Sequence, residues 1–287
     1  MSNERHKYEY VVDPNADTAA TKVVRMVGLA KKVLEIGSGP GSITRLLSEA
    51  SKCHVTALEI DPDAIEKVQA FCDKVYEVDL NDGAWPDLLA NDRFDVVVAA
   101  DVLEHLYQPL VALTAMGKLV TDDGYVVVSL PHVGHASIVA CLLDENFEYR
   151  DWGLLDRTHI RFFGLKNMQT LFSDAGLKIV AAEFVAKHPA ETEFAPRWEA
   201  ISIVARAAAL SNPHGLVYQV VLKAVPVAAA GYPLVLMDVP VTQSALTPLN
   251  TKSLLSMLTQ FARRRARRYL KPSTRVMLRS FSKRFGM

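Results

Sequence analysis

A glycine-rich stretch that follows an acidic residue is the first feature of this sequence with chemical consequences. Glu35 lies near the end of a short apolar run, and Gly37-Ser38-Gly39-Pro40-Gly41 comes directly after it. Glycines let a backbone turn tightly and approach a ligand closely, and the helix predicted next presents unpaired N–H groups at its start. The carboxylate of Glu35 has the charge needed to bind the amino group of an amino-acid ligand.

A second acidic residue narrows the kind of ligand. Glu59 closes the next predicted strand about 20 residues further on, where a carboxylate can accept hydrogen bonds from both hydroxyls of a ribose. The glycine spacing is GxGxG, whereas dinucleotide-binding enzymes have GxGxxG and need the helix N-terminus for a pyrophosphate. The pattern favours a positively charged ligand without phosphate, and a nicotinamide dehydrogenase is the least favoured class.

Histidines supply the candidates for acid–base chemistry, because histidine titrates near neutral pH. His105 follows the fourth predicted strand, His132 follows the fifth, and His159 lies in a later loop. Ligands of open α/β sheets bind at the carboxyl ends of strands, where His105 and His132 are expected. We predict that His159 and His132 face an acceptor, with His105 as the alternative base. The plainer alternatives are that His105 packs or caps at its helix and that His159 anchors its loop together with Arg161.

The elements that must position these residues alternate between strands and helices, which indicates βαβ units and a parallel sheet. The later helices are predicted over Ala136–Leu143, Lys166–Ala175 and Trp198–Leu210. The seven predicted strands are Lys32–Ile36, His54–Ile60, Val75–Val78, Phe94–Ala100, Tyr125–Leu130, Leu177–Val185 and Leu216–Val225.

Five ordered motifs resemble those of class I S-adenosylmethionine-dependent methyltransferases. Val33–Gly41 resembles their first motif and Leu58–Asp61 their second acidic strand end. Val78–Asp82 resembles the segment that holds the adenine, and it puts the carboxylate of Asp79 on the adenine amino group. Phe94–Leu106 resembles the fourth strand with the loop that lines the methyl-transfer site, and Asp122–Ser129 resembles the glycine turn and strand that follow.

The resemblance implies an α/β fold with a Rossmann-like, seven-stranded, mostly parallel sheet and helices on both faces. The order of the predicted elements gives one domain over residues 1–226, the methyltransferase domain, and a basic C-terminal helical appendage over 227–287. The resemblance implies S-adenosyl-L-methionine as the cofactor, whose cationic sulfonium suits an acid-rich site, and the lack of His/Cys metal spacing predicts no metal. The cofactor-binding residues it implies are Glu35, Gly37, Ser38, Gly39, Gly41, Glu59, Ile60, Asp79, Leu80 and Asp101. For Asp101, capping of the next helix is the alternative.

A narrower resemblance bears on the acceptor. Tyr10–Pro14, Asp156–Phe163, Glu191–Glu193 and Tyr218–Val221 resemble bacterial methyltransferases encoded beside or fused to glycosyltransferases. This association implies O-methylation of a sugar, a glycan or another envelope-linked acceptor. The alternatives are a methyltransferase of a small metabolite such as a quinone or natural product, a non-catalytic cofactor-binding protein, and RNA methylation.

Composition points to an ordinary globular protein in a reducing compartment. Half of the 287 residues are hydrophobic and 22% are charged. Cys53, Cys72 and Cys141 stand far apart, which argues against a disulfide framework. The polar N-terminus does not resemble a signal peptide, and no apolar run is long enough for a spanning helix. We therefore expect a cytoplasmic protein, with a peripheral position on the membrane as a further expectation.

The charge distribution concerns partners. All 32 acidic residues lie at or before Asp238, whereas 11 of the 32 basic residues follow it. Arg263–Arg268 is strongly basic, and Met277, Leu278 and Phe281 would share one face of a helix. A basic amphipathic helix of this kind can lie on an anionic membrane surface. Nucleic acid is the less favoured partner, through phosphates alone, and a solvated or disordered tail is the remaining interpretation.

Overall fold

Seven strands form a single sheet in the computed structural model, which describes residues 8–241. The strands are β1 (Lys32–Ile36), β2 (His54–Glu59), β3 (Lys74–Glu77), β4 (Phe94–Ala100), β5 (Val120–Pro131), β6 (Leu177–Ala186) and β7 (Val217–Pro226). The α-helices are α1 (Ala19–Val27), α2 (Ser42–Glu49), α3 (Pro62–Val68), α4 (Pro109–Leu119), α5 (Ala136–Leu143), α6 (Leu165–Asp174), α7 (Ala195–Ala200) and α8 (Ile203–Leu210).

The strand order is β3-β2-β1-β4-β5-β7-β6. The first five strands in the chain pair in parallel, and β7 runs antiparallel to both of its neighbours. The connection from β1 leads towards β2 and β3 on one side, while β4 and β5 extend the sheet on the other. The order therefore reverses between β1 and β4, and open sheets bind ligands outside the carboxyl ends of the strands at such a point.

Alternation along the central strands builds a separate apolar layer on each face of the sheet. Side chains of successive strand residues point to opposite faces. Val96 and Val98 of β4 pack with α1 and α2, whereas Val97 and Ala99 pack with α4 and α6. These four side chains are fully buried, which is why the part of β4 after Asp95 is an uninterrupted apolar run. The predicted mostly parallel, seven-stranded sheet with helices on both faces is confirmed.

Two helix predictions differ from the structure. The helix predicted over 198–210 is two helices, because the chain is extended at Ile201 and Ser202. The hydroxyl of Ser202 accepts a hydrogen bond from the backbone N–H of Ala205 and so begins α8 with a new N-cap. The sequence also left out α1, whose apolar residues Ala19, Ala20, Val23 and Val27 cover the sheet.

The segment 227–241, assigned above to the appendage, continues along the methyltransferase domain. Leu236 is buried, and its backbone N–H donates to the side-chain oxygen of Gln169 in α6. The N–H of Leu234 donates to the carbonyl of Ile179 in β6. The domain therefore reaches past the predicted boundary at residue 226. The rest of the predicted appendage, including Arg263–Arg268, lies outside the described residues.

Helices of the described residues are too short or too polar for one of them to cross a bilayer.

Candidate active site

One cavity of about 700 Å³ opens at the carboxyl ends of the central strands, where the strand order reverses. Its size falls within the range of small-molecule sites. The predicted residues that line it are Glu35, Gly37, Ser38, Gly39, Glu59, Ile60, Asp79, Leu80, Asp101, His105 and His159. The sequence motifs, separated by up to 124 positions between Glu35 and His159, therefore meet at one place.

The glycine-rich turn after β1 needs glycine for two different reasons. Gly37 has a φ of 66°, and a Cβ there would lie 2.8 Å from a methyl of Val102, so the turn and the loop after β4 are in close contact. Gly41 has a φ of 90° and begins α2, with Val68 of α3 at 3.1 Å from a Cβ placed on it. The described lining does not include Gly41. Its position indicates packing between α2 and α3, and a cofactor contact of Gly41 stays a prediction.

The carboxylate of Glu59 connects the end of β2 to the glycine-rich turn. One oxygen accepts the N–H of Gly39 at 2.6 Å, and the other accepts the N–H groups of Ile60 and Asp61 at 2.8 and 3.0 Å. These bonds hold the carboxylate at the cavity wall. The side chain of Ile60 is 55% exposed although it is apolar, as expected for a side chain at the rim of a ligand site.

Glu35 is more deeply buried than the other strand-end acids, Glu59 and Asp79. It accepts a hydrogen bond from the hydroxyl of Thr44 at 2.6 Å. Burial raises the pKa of this carboxyl to about 7, against the lowering effect of the Thr44 hydrogen bond, and the negative charge of Glu59 raises it further. A cationic group beside Glu35 would restore its ionised form, because an opposite charge at short range favours ionisation.

Asp79 lies two residues after β3, and its carboxylate accepts the N–H of Asn81 at 2.8 Å. The side-chain oxygen of Asn81 accepts the N–H of Tyr107 at 2.9 Å, which ties the loop after β3 to the loop after β4. Asp79 is thus held on the far side of Glu59 from Glu35, in the strand order β3-β2-β1.

Asp101 lies directly after β4, the strand next to β1 in the sheet. It has a left-handed φ of 54°, unusual for a residue other than glycine. Its carboxylate accepts the hydroxyl of Ser129 at 2.9 Å and the amide of Gln219 at 2.8 Å. Burial raises its pKa, while both hydrogen bonds and His105 lower it. Asp101 lines the cavity, and its side chain makes no helix cap.

Two imidazoles in contact also line the cavity. The rings of His105 and His159 meet edge to face, with centroids 4.8 Å apart. Nδ1 of His105 lies 3.1 Å from the carbonyl of Thr158, and Nδ1 of His159 lies 3.3 Å from the carbonyl of Leu154. Because a carbonyl only accepts, each Nδ1 is the protonated nitrogen and each neutral ring has its lone pair on Nε2.

Glu104 is a functional candidate that the sequence did not indicate. Its carboxylate is fully buried, and one oxygen lies 3.8 Å from Nε2 of His159. It lines the cavity beside both histidines. In the sequence, Glu104 stands between Leu103 and His105 at what looks like the start of a surface helix. Nothing in the sequence indicates that its carboxylate is buried.

His132 was predicted to face the acceptor, but it is not among the described residues that line the cavity. Its ring is buried, and Nδ1 donates to the carbonyl of Val217 at 3.0 Å, which joins β5 to β7. Burial lowers its pKa. The neighbouring His135 caps α5 through Ser137 and donates to the carbonyl of Lys187. Both histidines after β5 thus serve the connection between strands.

The charge of the cavity is one-sided. Among its described lining residues there is no lysine or arginine. The acids that line it are Glu35, Glu59, Asp61, Asp79, Asp101, Glu104 and Asp156. A phosphate group would meet only negative charge here, whereas a cationic sulfonium and an ammonium group are electrostatically complementary to it.

A scan against protein-family models matches residues 5–182 to a family described as a methyltransferase domain. The chain belongs to this methyltransferase family. It is an S-adenosylmethionine-dependent methyltransferase, as the order of its motifs predicted. The cofactor and the enzyme class are thereby confirmed, while the narrower glycosyltransferase-associated group is not.

Named relatives share only part of their length with the chain. The ubiquinone biosynthesis O-methyltransferase of Xylella fastidiosa (strain 9a5c) is 28% identical over 134 residues, which are 42% of this chain and 54% of the relative. The enzyme of the same name from Azorhizobium caulinodans is 30% identical over 100 residues, 34% of this chain and 39% of the relative. The chain thus spans about half, or less, of these relatives.

Solved structures agree on the fold. An S-adenosylmethionine-dependent methyltransferase from Archaeoglobus fulgidus superposes with a TM-score of 0.50 at 16% identity, covering 71% of this chain and 91% of the other. The likeness shows the architecture alone, since its identity is low.

Removal of the Glu59 carboxylate tests the predicted ribose contact. We expect Glu59→Ala to weaken S-adenosylmethionine binding by about 1–3 kcal/mol, because a charged hydrogen-bond acceptor is lost. Glu77→Ala is the matched control, since Glu77 pairs with Glu59 in register on β3 but does not line the cavity. Titration calorimetry measures both. Equal affinity of the Glu59 variant and the wild type would place the ribose elsewhere.

The raised pKa of Glu35 predicts a pH dependence of cofactor binding. With a pKa of about 7 in the ligand-free protein, Glu35 is mostly ionised at pH 8 and mostly protonated at pH 6. Because a cation binds the ionised form, affinity for S-adenosylmethionine should fall about tenfold from pH 8 to pH 6. Glu35→Gln should bind more weakly and lose this dependence. A wild-type affinity that is constant over this range would contradict the pairing.

Proposed function

We propose that this methyltransferase transfers the methyl group of S-adenosylmethionine to a phenolic hydroxyl of a small aromatic acceptor. The observation that carries the proposal is the pair of imidazoles, His105 and His159, which lines the same cavity as the predicted cofactor residues. An oxygen acceptor must lose a proton, and the pair lies where that proton would leave.

We infer that the cofactor extends from Asp79 through Glu59 to Glu35, in the order of the strands that carry these acids. Its adenine, ribose and amino-acid groups would then follow the sheet edge, and the sulfonium would lie near Asp101. This arrangement directs the methyl group towards His105 and His159. Positioning of methyl group and oxygen in line supplies much of the rate acceleration expected of such a site.

The transfer balances with one base. The bond between sulfur and the methyl carbon breaks as the bond between that carbon and the acceptor oxygen forms, and sulfur keeps the electron pair. The hydroxyl proton moves to a nitrogen lone pair, for which Nε2 of His159 is the candidate in the metal-free protein. The product cofactor is the uncharged thioether.

Acidity favours a phenol over a sugar hydroxyl. A phenol has a pKa near 10, like that of tyrosine, and an alcohol is a far weaker acid. Proton transfer to an imidazole is therefore less uphill from a phenol. The mouth of the cavity offers an aromatic surface as well, since Trp152 lines it and is 59% exposed. The named relatives are O-methyltransferases of ubiquinone biosynthesis, which supports an oxygen acceptor.

A glycan hydroxyl is the second candidate, favoured by one structural observation. The segments that resemble glycosyltransferase-associated enzymes interlock beside the cavity. The hydroxyl of Tyr218 donates to the carboxylate of Glu193 at 2.9 Å, and Glu193 accepts the N–H of Leu154, two residues before Asp156. An aromatic side chain near carboxylates also suits a sugar, so this wall is compatible with either acceptor.

Transfer of labelled methyl into a fractionated lysate distinguishes the two acceptors. We expect label from S-adenosylmethionine in lipid-soluble or small aromatic compounds, in a form stable to mild alkali, which removes methyl esters but not aryl ethers. His159→Ala should lower turnover about 10²–10⁴-fold with cofactor affinity unchanged, as for loss of a general base. His54→Ala is the control, because His54 is 76% exposed and pairs with Asp73 away from the cavity.

Label found only in a glycan fraction would reject the phenol in favour of the second candidate. Label found only in protein or RNA would reject both.

A further inference from the structure

We propose that Glu104, His105 and His159, the Glu–His cluster, form a binding site for a divalent transition-metal cation at the acceptor end of the cavity. The site rests on the proposed function only in that the same cluster would activate the acceptor hydroxyl. The sequence, which lacks His/Cys metal spacing, predicted no metal. The fold brings together ligands that lie 54 positions apart between His105 and His159.

The carboxylate of Glu104 is the first observation. Its side chain is completely buried, and neither of its oxygens has a hydrogen-bond partner among the described residues. The backbone carbonyl of Glu104 accepts the N–H groups of Ile160 and Arg161, so the loop that carries His159 is held against it. A buried carboxylate without a partner is costly, and a coordinated cation is one of the few groups that compensates it.

Like charges surround this carboxylate. Asp101 and Asp156 are the acids whose negative charges act on the Glu104 carboxylate. Asp101 is already bonded to Ser129 and Gln219, and Asp156 accepts hydrogen bonds from Thr158. The described lining of the cavity adds no lysine or arginine. The surroundings therefore favour an added positive charge.

The orientation of the imidazoles is the second, independent observation. Each Nδ1 donates to a backbone carbonyl, of Thr158 for His105 and of Leu154 for His159. Metal-binding histidines commonly donate their other ring N–H to a carbonyl or carboxylate, which fixes the ring and the tautomer. In this tautomer Nε2 of His159 presents a lone pair to the Glu104 carboxylate, 3.8 Å away. A cation between the Glu104 oxygen and Nε2 of His159 would bind to both atoms.

The spacing suits one ion. One ligand atom from each of the three residues lies within 4.8 Å of the others. Ligand atoms bound at about 2.1 Å to one tetrahedral ion are about 3.4 Å apart, so the ligand atoms must approach one another by up to about 1.4 Å to close the set. Two imidazoles and one carboxylate select Zn²⁺, Mn²⁺, Fe²⁺ or Co²⁺ over Mg²⁺ or Ca²⁺, which prefer oxygen ligands.

Such an ion defines the acceptor more closely. The protein supplies three ligands on one side, and the cavity leaves the remaining positions to solvent or acceptor. A bound divalent cation lowers the pKa of a hydroxyl that it contacts, so the hydroxyl proton would leave to solvent and His159 would act as a ligand instead of the base. An acceptor with two adjacent oxygens, such as a catechol, could bind through both. The acceptor class we infer is therefore a vicinal aromatic diol.

Metal binding to the purified full chain, with any affinity tag removed and after dialysis against EDTA, tests the site. We expect Mn²⁺ and Co²⁺ to bind with one equivalent per chain by calorimetry, and Co²⁺ to show the visible absorption of a nitrogen-ligated ion. Glu104→Gln and His159→Gln should each weaken binding at least about tenfold. His54→Gln, on the exposed pair with Asp73, should leave it unchanged. Unchanged affinity for S-adenosylmethionine shows that the variants are folded.

Activity separates this site from the proposed function. We expect EDTA to lower methyl transfer to a catechol at least about tenfold, because only the imidazole base remains, and Mn²⁺ or Zn²⁺ to restore the rate. The metal site would be overturned if the wild type does not bind one equivalent of metal, or if the Glu104 and His159 variants bind metal as tightly as the wild type. In that case, undiminished methyl transfer in EDTA would still uphold the proposed function. Metal binding that depends on Glu104, without transfer to any hydroxyl, would uphold the site and overturn the proposed function.

Discussion

Negative charge concentrated at one edge of the sheet is the constraint on which the rest of the site depends. Seven carboxylates line a single cavity, and its described lining contributes no lysine or arginine to balance them. Several are deeply buried, where an unpaired charge is costly. Hydrogen bonds satisfy Glu59 and Asp101 within the protein. Glu35 and Glu104 retain the strongest need for a cation, and they belong to different strand ends, Glu35 to that of β1 and Glu104 to the loop after β4.

We assign the acids of β1, β2 and β3 to the cofactor half of the methyl-transfer reaction and the loop after β4 to the acceptor half. Parallel strands β1, β2 and β3 bring their acids to one edge because all three run in the same direction. The loop after β4 crosses to the other half, where Glu104 meets His159. Asp101 joins the halves, since Gln219 of the antiparallel strand β7 holds it. In the proposed arrangement, the cofactor and the acceptor lie on either side of Asp101.

The sequence was sufficient to predict the site residues that lie at the ends of strands. Glu35 and Glu59 lie at the carboxyl ends of β1 and β2, Asp79 lies two residues after β3, and parallel pairing alone brings such strand ends together. It was insufficient where long-range packing decides. Gly41 and His132 lie in the predicted segments, yet Gly41 packs on α3 and His132 bonds to β7. Burial of Glu104 depends on the loop that carries His159, more than 50 positions away, which no local pattern encodes.

A crystal structure with S-adenosylhomocysteine bound tests the central claim, that the strand-end acids orient the cofactor towards the Glu–His cluster. The account predicts ribose hydroxyls at hydrogen-bond distance, about 2.5–3.2 Å, from the Glu59 carboxylate. It also predicts that the sulfur faces the side of the cavity that carries Glu104 and His159. A ribose bound away from Glu59, or a sulfur that faces β3, would contradict the account.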